Sequence, residues 1–123
     1  MCIRDRRSGR IINIASVGGK TGGIMPVAPY SATKAGVISL TKSFASYLSP
    51  YGVTVNAIAP GPAATDLTRD WPAERVAALV NAIPFKRLAT AEDIAPVAAF
   101  LASDRAGYIT GEIVDVNGGL LMD

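Results

Sequence analysis

The chain has 123 residues, half of them apolar, with 12 lysines and arginines against 10 aspartates and glutamates and no histidine. Such a composition can bury a core and argues against disorder, while the missing histidine excludes a Ser-His-Asp triad and any metal site that relies on imidazole. The formal charge of +2 comes from Arg4, Arg6 and Arg7 set against Asp5 near the start, which leaves no basic face for nucleic acid.

Residues 1–8 lack periodicity and resemble a non-native leader, so one domain is expected over 9–123. Cys2 has no partner for an internal disulfide. No apolar run reaches the ~18 residues of a membrane span, and no signal-peptide pattern opens the chain. The expectation is a cytoplasmic protein with no membrane partner. GRIINIAS (9–16) sets Ile11, Ile12 and Ile14 in a short apolar run, the pattern of a strand buried on both faces of a parallel sheet. VGGKTGGIMPVAP (17–29) is rich in glycine and proline and reads as a loop. Its GGKT does not make a phosphate loop, because Ile14 stands where that motif needs glycine. From about Tyr30 to Leu48 the pattern is helical and apolar around nearly the whole circumference, which predicts a helix buried all round. Pro50 and Gly52 end it.

VTVNAIA (53–59) is a second buried strand, closed by PGP (60–62). A polar segment follows, with Trp71 expected as a packing aromatic in a lid. It leads into a short helix over 73–82 that has Pro72 and Glu74 at its start. Thr90 and Asp93 form a capping box ahead of Ile94, Val97, Ala98 and Leu101 at helical spacing. EIVDVNGG (112–119) is a last strand and turn. Asn56 and Asn117 are expected to bond backbone rather than to catalyse. This alternation of strands and helices predicts an α/β protein with a parallel sheet.

In open parallel sheets ligands gather beyond the carboxyl ends of the strands. Ser16 follows the first strand, Pro60 and Gly61 follow the second, and Tyr30 and Lys34 lie one helical turn apart at the head of the intervening helix. A free phenol loses its proton only near pH ~10, too high for acid-base work at neutral pH, and a neighbouring ammonium favours the phenolate. Tyr30 can then exchange a proton with a substrate oxygen held by Ser16 while a hydride moves at the adjacent carbon.

Together INIAS, the Y-x-x-x-K of YSATK, VNAIAPG and YITGEIVDVNGG resemble the short-chain dehydrogenase/reductase family over residues 9–123, with the 3-oxoacyl-acyl-carrier-protein reductase group nearest in flavour. The resemblance implies the C-terminal half of a Rossmann-like, doubly wound parallel sheet. It implies that Ser16 stabilises the substrate oxygen, Tyr30 is the acid-base catalyst, and Lys34 both favours the phenolate and binds the nicotinamide ribose. Pro60, Gly61, Ala63 and Thr65 would border the nicotinamide and pyrophosphate end of NAD or NADP. A small carbonyl or alcohol substrate, no metal, and a homodimer or homotetramer built on helix 30–48 are also implied. The family's Gly-rich turn, N-N-A-G segment and catalytic asparagine have no counterpart here, and Asn13 does not replace the last. The chain is therefore expected to be a fragment, inactive alone. Two readings stay beside this one: a non-catalytic interaction half-domain, and an extended-type epimerase or dehydratase, which also uses tyrosine and lysine but for which the stretch after VNGG is short.

Overall fold

A computed structural model describes residues 2–23 and 27–123. In chain order the elements are strand β1 (Gly9–Ile14), helices α1 (Val17–Thr21) and α2 (Ala28–Leu48), strand β2 (Val53–Pro60), helices α3 (Ala73–Ala82) and α4 (Ala91–Ala102), and strand β3 (Ile113–Val116). The three strands form one parallel sheet in the order β1-β2-β3. Its register runs from Gly9 opposite Val53 to Ile14 opposite Ile58, and from Ala57 opposite Ile113 to Pro60 opposite Val116.

β2 is central and buried from Val53 to Ala59, as a continuous β-branched and small apolar run should be when helices cover both faces. Its alternate residues pack in opposite directions. Ala57 and Ala59 join Ala15, Ile113, Val37 and Ile38 of the α2 side, and Val53 and Val55 join Ala45 and Leu48 of the same helix. Ile58 points the other way, toward Leu101, Val97 and Ile94 of α4. Among the described residues no helix is long and apolar enough to cross a membrane.

Two expectations need correction. The segment 17–29 is not loop throughout, since it holds α1 and the first residues of α2, while 24–26 fall outside the described residues. α1 exists because its ends are capped: Ser16 Oγ accepts the Gly18 N–H at 3.1 Å, and Gly22, at φ 81, turns its N–H back to Gly18 O. Serine before and left-handed glycine after are helix-end signals, and here they outweigh the glycines between them. Nor is α2 buried all round. Within this chain Ser31, Thr41, Ala45 and Leu48 are its buried residues, whereas Leu40, Phe44 and Tyr47 are 56%, 47% and 57% exposed. The sheet and α1 cover one side of the helix, and the opposite side meets solvent.

Elsewhere the local chemistry behaves as read. Pro50 tightens the end of α2 into a 3₁₀ turn closed by Gly52 at φ 69. α3 spans 73–82. At α4 the Thr90 N–H donates to Asp93 Oδ2 at 2.8 Å, and Arg87 grips both oxygens of that carboxylate at 2.6 and 2.9 Å. These donors, the Arg87 guanidinium first, hold the Asp93 carboxyl well below the usual carboxylate range. Ile3, in the stretch read as a leader, packs against the cluster of Val53, Val55 and Leu48.

Candidate active site

Parallel strands bring their carboxyl ends to one edge of the sheet. Ile14 pairs with Ile58, and the next amide, Ala15 N–H, donates to Ile58 O at 2.7 Å. Continued for two residues, that register sets Ser16 beside Pro60, so the ends of β1 and β2 border the same edge. Ser16 is 9% exposed, with its hydroxyl turned onto Gly18 as the cap of α1.

α2 brings the phenol and the ammonium to this edge. Pro29 suits its first turn, where a missing N–H costs nothing. Tyr30, 52% exposed, sits one turn before Lys34. The Lys34 ammonium lies 5.8 Å from the centre of the Tyr30 ring and donates to Ile14 O at 2.9 Å, which ties the head of α2 to the end of β1. Gly18 links the remaining pair: a methyl group there would lie 3.5 Å from Ser16 Oγ and 3.8 Å from Tyr30 Cε1. Ser16, Tyr30 and Lys34 are thus gathered around one turn of backbone.

Of the four further candidates, two stand at the strand end. Pro60 closes β2, and Gly61 donates to Val116 O at 2.9 Å. A side chain at Gly61 would press within 2.8 Å of Asn117 Cβ, so only glycine lets the two strand ends lie this close. Ala63 and Thr65 belong to the departing chain. Ala63 forms an isolated parallel bridge with Ala89, and the Thr65 N–H donates to Thr68 Oγ1 at 2.9 Å. Beyond β2 and β3 lies a cavity of about 310 Å³ lined by Pro62, Phe85, Arg87 and Asn117 among others, and it does not include Ser16, Tyr30 or Lys34. The three lie on more open surface.

Asn56 and Asn117 serve backbone. Asn56 bridges Ile109 O and the Glu112 N–H, and Asn117 bridges Leu121 O and the Gly119 N–H. Asn13 donates to Thr41 Oγ1 at 3.0 Å, between β1 and α2. Trp71 lies under the guanidinium of Arg75, 3.9 Å from its ring centre.

Two features escaped the sequence. One is the Gly18-Gly19 step in α1. The other is an ionic clasp in which Lys20, on α1, reaches Asp115 of β3 at 2.5 Å and Asp123 at 2.7 Å. Burial works against the Lys20 charge, yet the hydrogen bonds to the two carboxylates prevail and its pKa is raised. The Lys20 bond in turn holds the Asp123 carboxyl below its ordinary value. Asp115 could have been noticed as an acid inside a buried strand, but nothing in the spacing joins it to Lys20.

The sequence profile described as Enoyl-(Acyl carrier protein) reductase matches residues 2–121. The chain belongs to the short-chain dehydrogenase/reductase family. Among curated relatives, 3-oxoacyl-(acyl-carrier-protein) reductase FabG of Haemophilus influenzae is 50% identical over 117 residues, which are 95% of this chain and 48% of the relative. The reductase of the same name from Staphylococcus aureus is 50% identical over 95% of this chain and 47% of its own length. A crystal structure of 3-oxoacyl-(acyl-carrier protein) reductase from Brucella melitensis superposes with a TM-score of 0.91 at 40% identity, over 98% of this chain and 45% of that one. The chain spans about half the length of these curated relatives.

Proposed function

We propose that Ser16, Tyr30 and Lys34 form the proton-transfer site of a nicotinamide-dependent carbonyl reductase or secondary-alcohol dehydrogenase. The observation that carries this is the Lys34 ammonium, pinned by Ile14 O at 2.9 Å and set 5.8 Å from the centre of a half-exposed Tyr30 ring. Tyr30 Oη gives its proton to the oxygen of a small carbonyl substrate, or takes one from an alcohol. The Lys34 charge steadies the negative oxygen left on the phenol. Ser16 Oγ turns from the Gly18 amide to donate to the same substrate oxygen.

The residues fit a nicotinamide cofactor. An ammonium has three donors, and the bond to Ile14 O takes one of them, which leaves two for the vicinal hydroxyls of a ribose. Pro60 and Gly61 offer close backbone at the strand end, with Ala63 and Thr65 further along. When bound, NAD or NADP supplies or accepts the hydride. A cytoplasmic location accords with a nicotinamide-dependent reductase, and the exposed side of α2 supports association with a second copy as homodimer or homotetramer.

The test is ketone-dependent oxidation of NADH or NADPH by the chain completed with the N-terminal half of a relative, because the chain alone is expected to be inactive, and by Tyr30→Phe in that full-length protein. The variant should retain cofactor binding and lose turnover by ~100-fold or more, the usual contribution of a general acid. Equal turnover in the two proteins would remove Tyr30 from the chemistry. Binding of neither cofactor by the chain would favour the interaction half-domain.

A further inference from the structure

The side chains that join α1 to the third strand are charged. Lys20 stands in the last turn of α1 with its side chain 16% exposed, and Asp115 lies inside β3 at 20%. Aspartate is disfavoured in strands, and Oδ1 of this one is buried with no partner among the described residues. Packed apolar residues in place of such a pair are often as stabilising or more so, because removing two charges from water is costly. What the ion pair adds is a fixed distance and direction: Lys20 Nζ meets Asp115 Oδ2 at 2.5 Å and Asp123 Oδ2 at 2.7 Å. The place of the contact gives that precision a use. Asp115 pairs in register with Ala59, one residue before Pro60, while Ser16 follows β1 on the other side of β2. α1 therefore crosses the carboxyl end of β2. Between its ends it has one close support, since a methyl at Gly19 would lie 2.7 Å from the Lys34 carbonyl carbon and 2.9 Å from the Ala35 nitrogen. None of its residues is buried, and five residues with two glycines do not hold a helix by propensity. A short rod that rests on α2 at Gly19 and is pinned at Lys20 has its other end placed as well. That end is Ser16, whose hydroxyl accepts the Gly18 N–H at 3.1 Å.

We infer that Lys20 and Asp115 are positioning residues, whose ion pair across the end of β2 sets the place of the Ser16 hydroxyl relative to Tyr30. The inference rests on the reading of Ser16 and Tyr30 given above. Without the pair α1 rocks about Gly19, and Ser16 Oγ loses the fixed distance at which it and the Tyr30 phenol share one substrate oxygen.

The experiment replaces the pair by apolar side chains, Lys20→Met with Asp115→Leu, because Lys20→Met alone leaves a buried carboxylate uncompensated. In the chain itself, the amides of Gly18 and Gly22, which bond within the two caps of α1, should exchange hydrogen about tenfold faster or more in the double variant. The amides of β2 should exchange as in the parent, and the melting temperature should not fall. In the full-length protein used for the Tyr30 test, kcat should drop by ~10- to ~100-fold with KM for the ketone near that of the parent, as expected when a group acting in the transition state is displaced by up to ~1 Å. Unchanged exchange at Gly18 overturns the inference, and so does faster exchange with kcat held while Ser16→Ala loses turnover. A drop in kcat that accompanies a drop in melting temperature overturns it too, since loss of folded protein then explains the rate. If Ser16→Ala keeps full turnover while the double variant frees the Gly18 amide, the hold on α1 is upheld and the catalytic reading of Ser16 falls instead.

Discussion

Asp123 shows how far a single side chain can be read. It closes the described chain, and its carboxylate reaches back to Lys20 on the helix that Ser16 caps. The Lys20 bond lowers the Asp123 pKa, so its contribution is complete above the ordinary carboxylate range and is lost as pH falls through the lowered value. Lys20, with a raised pKa, contributes fully below the ordinary lysine range and loses its part as pH rises through the raised one. The clasp is therefore whole across neutral pH and opens at either extreme. A ¹³C titration of the Asp123 carboxyl should show a midpoint below the ordinary aspartate value in the parent and a return toward that value in Lys20→Met. An identical midpoint in both proteins would mean that the contact does not persist in solution. At this scale the sequence was legible wherever the rule is local. Thr90 with Asp93 and Asn117 with Gly119 follow from side-chain chemistry a few residues deep, whereas Asn56 reaches Ile109 and Glu112, 53 and 56 residues on, and Lys20 reaches Asp115, 95 residues on, only through the fold.

Helix α2 was legible in its extent and misread in its surroundings. The helical pattern from Tyr30 to Leu48 is strong, but an apolar circumference records what the helix buries in every assembly it enters, and one chain supplies a single cover. Leu40, Phe44 and Tyr47 face outward along consecutive turns, a patch of the kind that soluble proteins keep for contacts. Phe44→Glu should shift the sedimentation profile toward the monomer without lowering the helical signal in circular dichroism. A parent that sediments as a monomer, or a variant that sediments like an associated parent, would discard α2 as the contact. α1 was missed for the opposite reason. Its interior glycines carry the propensity of a loop, while its caps, Ser16 and Gly22, are spaced as for a helix, and capping with close packing on Lys34 and Ala35 prevailed.

For the molecule as a whole, strand number and direction could be read because each strand is a short, mostly apolar run and each connection carries a helix. The alternation of Val53, Val55, Ala57 and Ala59 toward α2 with Ile58 toward α4 then sets the register against both layers. β1 was read as a strand buried on both faces, but within this chain it lies at an edge of the sheet with none of its residues buried and Ile14 49% exposed, because no strand among the described residues covers its far side. At the candidate site, the course of the chain beyond β2 was the part the spacing left open. Pro60 and Gly61 join Ser16 at one strand end, whereas Ala63 and Thr65 follow a chain already turning toward Ala89 and Thr68.

The central place of β2 also governs the order in which this chain can assemble. The groups that pair with β2 come from far along the chain: Val55 donates to Thr110, 55 residues on, and Asn56 accepts from Glu112, 56 residues on. Helical bonds close over four residues and form in microseconds or less, but the sheet can close only after chain segments of that length have met, at an entropic cost met before any sheet contact repays it. Refolding followed by stopped flow should therefore show helical signal recovering ahead of the burial of Tyr51 beside β2, with the latter on the scale of milliseconds to seconds. Recovery of both signals together within microseconds would mean that β2 finds its neighbours without that search. Until it does, an apolar strand stands with both edges unpaired, and the time spent in that state sets the window in which one copy of this chain can pair with the wrong copy of another.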